Sequence, residues 1–208
     1  MHSHRSLLRQ AGHTCIPFSM IAELQAWHLF LCLSHRRVLG APRRWASRRG
    51  FGIHSPFAFD FVRRVIASHC HYYCYDRLAR LAKVSTLSAP TLRLLFRLAL
   101  FFRPQTFAVA GAEARVIAQA IAEGSPTALD AGNGGADMLI VSGPVSELQL
   151  RQTIEREGVI VVLDLRNNRR AMDTVWRMSR HGMLFRGSTK AVFVAHAHLP
   201  HQAFSVWI

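Results

Sequence analysis

The sequence predicts an α/β fold with a mostly parallel, doubly wound sheet, a C-terminal antiparallel hairpin and helices ahead of the sheet. Three observations lead to this prediction. Short, continuously apolar runs, which are typical of strands buried on both faces, recur in the second half of the chain. Helical patterns separate these runs, so strand and helix alternate. Three short apolar runs joined by brief turns close the chain and predict a terminal antiparallel unit.

The length of the chain bounds its domain organisation. With 208 residues, half of them apolar, the chain can form one domain with a core and an accessory segment. We predict a basic, poorly ordered leader over residues 1–47, a helical segment over residues 48–104 and an α/β domain over residues 105–208.

Three helices are predicted ahead of the first strand. Ser55-Pro56 is typical of a helix N-terminus, because serine caps the free amide groups and proline fits the first turn. Apolar residues at helical spacing follow, and the same spacing predicts two further helices over residues 72–83 and 91–102. Arg103-Pro104 ends the last of them, because proline cannot continue a helix.

The hydrophobic period changes after Pro104. Apolar runs predict strands at residues 106–110, 127–130, 137–141 and 159–163, and terminal strands at residues 183–185, 191–195 and 203–208. Strong helix formers and cap residues predict helices at residues 111–123, 146–157 and 168–180. The second of these starts with a capping box from Ser146 to Gln149, in which each side chain satisfies an amide of the first turn.

The formal net charge of +14 is concentrated near the N-terminus. Residues 1–50 hold eight arginines and a single acid, Glu23. Such a block indicates nucleic acid or an anionic membrane surface as a partner. However, all but two of the 26 Lys and Arg residues are arginine, a bias typical of GC-rich coding sequence, and no nucleic-acid motif accompanies the charge. We favour this second interpretation and predict no specific nucleic-acid partner.

Cysteine usage and hydropathy indicate a cytoplasmic protein. The four cysteines show no disulfide framework, which fits a reducing compartment. The apolar run at residues 16–33 is interrupted by Glu23 and His28, so it predicts neither a transmembrane helix nor a secretory signal.

Three short motifs carry a resemblance to a known family. Residues 52–57 have the form Gly-x-His-Ser-Pro-Phe, residues 72–75 read Tyr-Tyr-Cys-Tyr, and Leu-Leu-Phe-Arg-Leu-Ala lies at residues 94–99. In this order, ahead of a strand at residues 106–110, they resemble a small family of bacterial class I S-adenosylmethionine-dependent methyltransferases. Over residues 48–208 the resemblance implies a Rossmann-like methyltransferase sheet and methyl transfer from S-adenosylmethionine to a small-molecule acceptor.

The same resemblance implies cofactor-binding residues. In the family, a glycine loop after the first strand faces the cofactor, and an acid at the end of the second strand binds the ribose hydroxyls. Gly111 and Glu113 occupy the loop, and Asp130 follows Gly111 by nineteen residues. A competing alignment places the loop at residues 130–135, although a strand, not a helix, is predicted after it. In the preferred alignment, the segment before Ala136 lacks an αβ unit that supplies adenine contacts in the family.

His54 and Asp164 are the candidate catalytic residues. His54 is interpreted either as a substrate contact or general base, or as a hydrogen-bonded histidine that fixes helices onto the sheet. Asp164 follows the most apolar strand, so it lies either at a ligand-binding edge of the sheet or in a turn that it caps before Asn167. Ser142 stands where metal-dependent O-methyltransferases carry an aspartate, and we predict no metal site.

Two groups of potential metal ligands are interpreted as structural. Residues 69–74 hold two histidines and two cysteines, but their spacing fits no established zinc pattern and they precede an aromatic helix face. Three histidines near the C-terminus are interpreted as exposed side chains of an edge strand: His196, His198 and His201.

Two functions from different classes follow. The first is S-adenosylmethionine-dependent methyl transfer to a small molecule. The second is a catalytically inactive methyltransferase-like protein that acts as a binding or scaffold domain, which the incomplete glycine loop and the missing αβ unit favour. An exposed sheet edge would permit a homodimer, although nothing in the sequence requires one.

Overall fold

The computed structural model describes residues 55–208, and all structural statements below concern these residues. They belong to one compact unit. The predicted leader at residues 1–47 and the candidate residue His54 lie outside the described residues. Within residues 55–208, no helix combines the length and the apolar character that crossing a membrane requires.

Within residues 55–208, three helices precede the sheet, as the sequence predicts. The first, α1 (Pro56–Phe61), continues into a π-helical turn (Val62–Ile66), and α2 (Tyr75–Lys83) and α3 (Ala89–Phe102) follow. Ser55 caps α1, because its side chain accepts a hydrogen bond from the amide of Ala58 at 3.3 Å. The predicted Ser-Pro helix start is therefore confirmed. The helix α2 begins at Tyr75 and not at Tyr72, because the amide of Tyr75 closes a turn onto the Tyr72 carbonyl at 3.0 Å.

In the described part of the chain, seven strands form one sheet in the order β2-β1-β3-β4-β6-β5-β7. Their bounds are β1 (Thr106–Ala110), β2 (Leu129–Asp130), β3 (Met138–Val141), β4 (Val159–Val162), β5 (Met183–Arg186), β6 (Ala191–Val194) and β7 (Gln202–Ser205). Three helices alternate with them: α4 (Ala114–Gly124), α5 (Glu147–Glu155) and α6 (Arg169–Met178). Every residue of β3, β4 and β6 is buried, as continuous apolar runs predict.

Helices cover both faces of the sheet. On one face, α1, α3 and α4 pack on alternate residues of the strands, with Phe61 and Ile117 in the same core as Phe185. On the other face, α5 and α6 pack on the intervening residues, for example Leu150 and Met172. The structure thus has the three-layer α/β arrangement that the alternation of strand and helix predicts.

The terminal strands differ in part from the prediction. The strand β6 runs antiparallel to both of its neighbours, β4 and β5, so β5 and β6 form the predicted hairpin. The strand β7 instead pairs in parallel with β5, so the prediction of an all-antiparallel terminal unit was wrong for this strand. The connection at residues 195–201 stays at the end of the sheet where β6 finishes. There the amide of Gly182, just before β5, donates to the Leu199 carbonyl, and the Gly182 carbonyl accepts the amide of Gln202. The strand β7 therefore starts beside the start of β5 and runs parallel to it.

The connection from β2 to β3 is unusually short. Residues 131–137 contain neither helix nor strand, yet they pass from one side of β1 to the other, because β2 and β3 both pair with β1. The side chain of Gln149 in α5 donates to two carbonyl oxygens of this connection, at 3.3 and 3.4 Å. At its end, Asp137 Oδ2 accepts the amides of Gln105 and Thr106 at 3.0 and 2.9 Å. Side-chain hydrogen bonds therefore replace the crossover helix that usually joins parallel strands.

Candidate functional site

A cleft of about 330 Å³ opens at the carboxyl ends of β1, β3 and β4. We call it the strand-end cleft. Its lining comes from the loop after β1, the residues directly after β3 and β4, the residue before β6, the segment between α2 and α3 and the first turn of α3: Thr86, Leu87, Ser88, Thr91, Ala112, Glu113, Ser142, Leu163, Asp164 and Lys190. Open α/β sheets bind ligands at this edge. The structure therefore brings Glu113 and Asp164, both predicted from the sequence, into one site.

Two glycines join the loops after β1 and β3, next to the cleft. Gly111 follows β1 with a φ of +113°, and a Cβ at this position would lie only 2.4 Å from the backbone nitrogen of Gly143. The amides of Ser142 and Gly143 both donate to the Ala110 carbonyl, at 2.9 and 3.1 Å. The loops after β1 and β3 are thus joined backbone to backbone. Gly111 faces this junction and is not part of the lining of the cleft.

Glu113 links two segments that line the cleft through hydrogen bonds. Its Oε1 accepts the backbone amide of Thr86 at 2.8 Å and the Thr86 hydroxyl at 2.9 Å. These two hydrogen bonds hold the pKa of the Glu113 carboxyl below its ordinary value. Glu113 itself adopts a left-handed conformation, with φ of 65°, directly before α4. The carboxylate that the sequence assigns to a cofactor therefore ties the α2–α3 segment to the β1–α4 loop.

We expect the Glu113→Gln variant to be less stable than the wild type at pH 7. The folded-state pKa of Glu113 lies below its ordinary value of 4.5, so its stabilising effect is present above that pH and is lost as pH falls through the lowered pKa. The melting temperatures of the two proteins should therefore converge in acid. Glu155→Gln, on the exposed surface of α5, is the matched control and should melt like the wild type at every pH. A constant gap for Glu113→Gln from pH 7 to acid would contradict this role.

Asp164 caps the turn before Asn167, as one of the two interpretations predicts, and it also lies at the cleft. It lines the strand-end cleft directly after β4. Its Oδ1 also accepts the amides of Arg166 and Asn167 at 3.2 and 3.4 Å, and its Oδ2 accepts the Asn167 side chain at 2.6 Å. The carboxylate is thus held rigidly by the turn that it caps, which fixes a negative charge at the edge of the cleft.

Asp130 lies apart from the other predicted cofactor residues. It pairs with Phe107, near the start of β1, whereas the cleft opens beyond Ala110 at the end of that strand. Its Oδ1 accepts the amide of Gly132 at 2.9 Å, within the connection to β3. The short connection explains this position, because the chain must return to Met138, which also pairs with Phe107. If β2 continued to the carboxyl edge of the sheet, too few residues would remain to lead the chain back to the start of β3 at Met138.

Lys190 is a lining residue that the sequence reasoning missed. It lies directly before β6, and because β6 runs antiparallel, this end of the strand reaches the same edge as Asp164. Partial burial lowers the pKa of its ammonium group. Among the described residues no carboxylate forms an ion pair with it. The sequence offered one signal for Lys190: lysine is rare in this chain, and the only other one is Lys83.

We expect Lys190→Met to raise the melting temperature at neutral pH. Burial penalises the charged ammonium, so the folded protein bears this cost wherever the lysine is protonated. As pH rises from the lowered folded pKa toward the ordinary value of 10.5, the unfolded chain holds the proton more tightly, and wild-type stability recovers. The advantage of the variant should therefore shrink with rising pH. Lys83→Met, at an exposed position, should show no such trend in a melting series.

The cysteine and histidine groups of the described region do not converge on a metal site. Cys70 is exposed and Cys74 is buried, and residues 55–208 contain no group of three His, Cys, Asp or Glu side chains arranged to hold an ion. The C-terminal histidines lie in the connection before β7, not on an edge strand as predicted. There His196 Nδ1 lies 3.1 Å from Glu157 Oε2, and the ring of His201 stacks on Trp176 with centroids 3.7 Å apart.

Comparisons with known proteins identify no relative. No family model matches the chain, and neither the curated proteins nor the solved structures that were searched show significant similarity to it. The function of the strand-end cleft therefore has to be inferred from its own residues.

Proposed function

We propose that this chain is a methyltransferase-like protein with a Rossmann-like sheet that binds a small anionic molecule in the strand-end cleft and does not transfer a methyl group. The observation that carries this proposal is the position of Lys190, a partly desolvated cation without a carboxylate partner among the described residues, in a cleft at the carboxyl edge of the sheet. The mostly parallel sheet with its C-terminal hairpin and the preceding capped helix support the resemblance on which the family part of the proposal rests.

The cleft is a poor fit for a whole S-adenosylmethionine molecule. Its volume of about 330 Å³ is at the lower end of the range for small-molecule sites. Asp130, the acid expected to bind the ribose, lies level with Phe107 and outside the cleft. Glu113 Oε1 is already occupied by Thr86. The connection over residues 131–137 has no helix and strand that could supply adenine contacts. Asp130 is thus displaced and one carboxylate oxygen of Glu113 is occupied, and the αβ unit that supplies adenine contacts in the family is missing from residues 131–137.

The cleft fits a small carboxylate better. The ammonium group of Lys190 is partly removed from water, and an anion that pairs with it would recover part of the lost solvation. Ser142 adds a hydroxyl to the lining, although that hydroxyl already donates to the Ala112 carbonyl at 2.7 Å. Asp164 adds a fixed negative charge, which would attract a positive group on the same ligand. A compact zwitterion, such as a free amino acid, satisfies both charges.

The test is thermal stabilisation of the full-length protein by free amino acids, with S-adenosylmethionine and S-adenosylhomocysteine in parallel. We expect one or more amino acids to raise the melting temperature, and the effect to disappear in Lys190→Met but to persist in Lys83→Met. Stabilisation by no amino acid, or equal stabilisation of both lysine variants, would contradict the proposal.

An active S-adenosylmethionine-dependent methyltransferase is the second candidate. It is favoured by one observation: Glu113, which the resemblance assigns to the cofactor, and Asp164, a candidate catalytic residue, line the same cleft. In this case Asp164 would orient an acceptor, since transfer of a methyl group needs mainly correct positioning. Micromolar binding of S-adenosylmethionine by calorimetry, lost in Glu113→Ala, whose side chain lines the cleft, would favour this candidate over the first.

A further inference from the structure

A second and larger concave site lies on the N-terminal helices, away from the strand-end cleft. Its volume is about 1160 Å³, and it lies between the π-helical turn with the segment that follows it and the C-terminal end of α3. We call it the basic groove. Its charged lining consists of Asp60, Arg63, Arg64, His69, Arg97 and Arg103. Neither the resemblance nor the proposed function assigns a role to any of these residues.

The positive charge of the basic groove is not neutralised by the described part of the chain. Among the described residues Asp60 is the one acid in the lining, and its Oδ1 already pairs with Arg64 Nε at 2.8 Å. Within residues 55–208, Arg63, Arg97 and Arg103 have no ion-pair partner. Three guanidinium groups therefore share one groove without a counter-charge from this region, which makes it attractive to a multiply charged anion.

Arg97 is the residue on which the inference depends most. Its Nη1 donates to the Ser68 carbonyl at 3.3 Å, whereas its Nε is buried and has no hydrogen-bond partner among the described residues. The Arg97 side chain is half-buried, and partial loss of hydration strengthens the attraction between a guanidinium and an anion that reaches its groove-facing atoms. An anion bound beside Arg97 would be held more strongly than one at a fully exposed arginine.

We infer that the basic groove binds a polyphosphate group, either as inorganic polyphosphate or as the phosphate chain of a nucleotide. The planar guanidinium group matches the paired oxygens of a phosphate better than an ammonium does. Three uncompensated cations match a chain of neighbouring phosphates, each of which carries negative charge. The volume of the groove accommodates a molecule of nucleotide size.

The test is calorimetric titration of the full-length protein with tripolyphosphate, with ATP and with a single-stranded RNA oligonucleotide. We expect tripolyphosphate and ATP to bind, and the affinity of both to fall as salt is added. Equal affinities would identify the phosphates as the whole ligand, and a higher affinity for ATP would add a contribution from the nucleoside. Either result supports the inference.

Variants localise the site. Arg97→Met should weaken binding of tripolyphosphate by at least ~10-fold, since a charge-assisted hydrogen bond to phosphate is lost. Arg63→Gln, at an exposed position, should weaken it as well and covers the case in which Arg97→Met does not fold. Arg170→Gln, an exposed arginine of α6 on the other face of the sheet, is the matched control and should bind like the wild type.

Three results would overturn the inference: no binding of either phosphate compound, equal weakening by Arg170→Gln, or binding of RNA without binding of tripolyphosphate. The last result would indicate a nucleic-acid surface instead. The outcome is independent of the strand-end cleft, because Lys190→Met should leave the affinity for tripolyphosphate unchanged.

Discussion

Replacement of Gly111 by alanine is expected to destabilise the protein by about 3–5 kcal/mol. Two effects act together at this position. The φ of +113° lies in a region that side-chain-bearing residues rarely adopt, and the new Cβ would lie 2.4 Å from the backbone nitrogen of Gly143. That neighbour is backbone, which is itself bonded to Ala110, so it cannot swing away as a flexible side chain can. Urea unfolding monitored by circular dichroism measures the loss.

Gly132→Ala is the matched control for this substitution. Gly132 also has a positive φ, of +61°, but no atom lies within 4 Å of a Cβ built on it. Its replacement should cost only about 1 kcal/mol, which is the strain of a left-handed alanine. If the two variants lose the same stability, the contact between the loops after β1 and β3 is not what requires glycine at position 111.

Phe61→Ala is expected to cost about 3–5 kcal/mol, because it empties the centre of an aromatic cluster. Phe61 is fully buried, and its ring centroid lies 4.4 Å from that of Phe185 in β5 and 5.7 Å from that of Phe101 in α3. The residue thus joins α1 to the sheet. The substitution should lower the stability of helices and sheet together, in a single transition by circular dichroism and by tryptophan fluorescence.

Phe59→Ala on the same helix provides the comparison. Its ring is 39 % exposed and lies under the guanidinium of Arg63 at 5.5 Å. Loss of an exposed cation–π contact should cost less than about 1 kcal/mol. Two separate transitions in Phe61→Ala, with the helices lost first, would show that the N-terminal helices fold independently of the sheet.

The helix starts are predicted correctly from the sequence, because a cap involves only side chains and amides within a few residues of each other. Ser55 caps α1, and Ser146 caps α5 by accepting the amide of Gln149 at 3.2 Å. The predicted capping box is nevertheless only half formed, since the side chain of Gln149 bonds to the β2–β3 connection and not back to Ser146. A tertiary contact has thus replaced the local one.

The candidate site was predicted in part. The resemblance implies Glu113, and Asp164 is predicted from its position after an apolar run; the carboxyl ends of parallel strands bring both to one edge. Asp130 rests on the resemblance together with its spacing from Gly111, and spacing does not determine how far β2 extends along β1. Lys190 was missed because its place in the cleft depends on β6 running antiparallel beside β4, which residues near Lys190 do not reveal.

The sequence by itself determined the α/β class, the order of helices and strands, the capped starts of α1 and α5 and the absence of a crossover helix between β2 and β3. These features follow from hydrophobic period, cap chemistry and chain length, all of which act over short stretches. Only the tertiary structure decided the parallel direction of β7, the early end of β2 at Asp130, the junction of Gly111 with Gly143 and the grouping in the basic groove of three arginines that have no ion-pair partner within residues 55–208. Each depends on which distant segments pair, and pairing is chosen by the packing of the whole core.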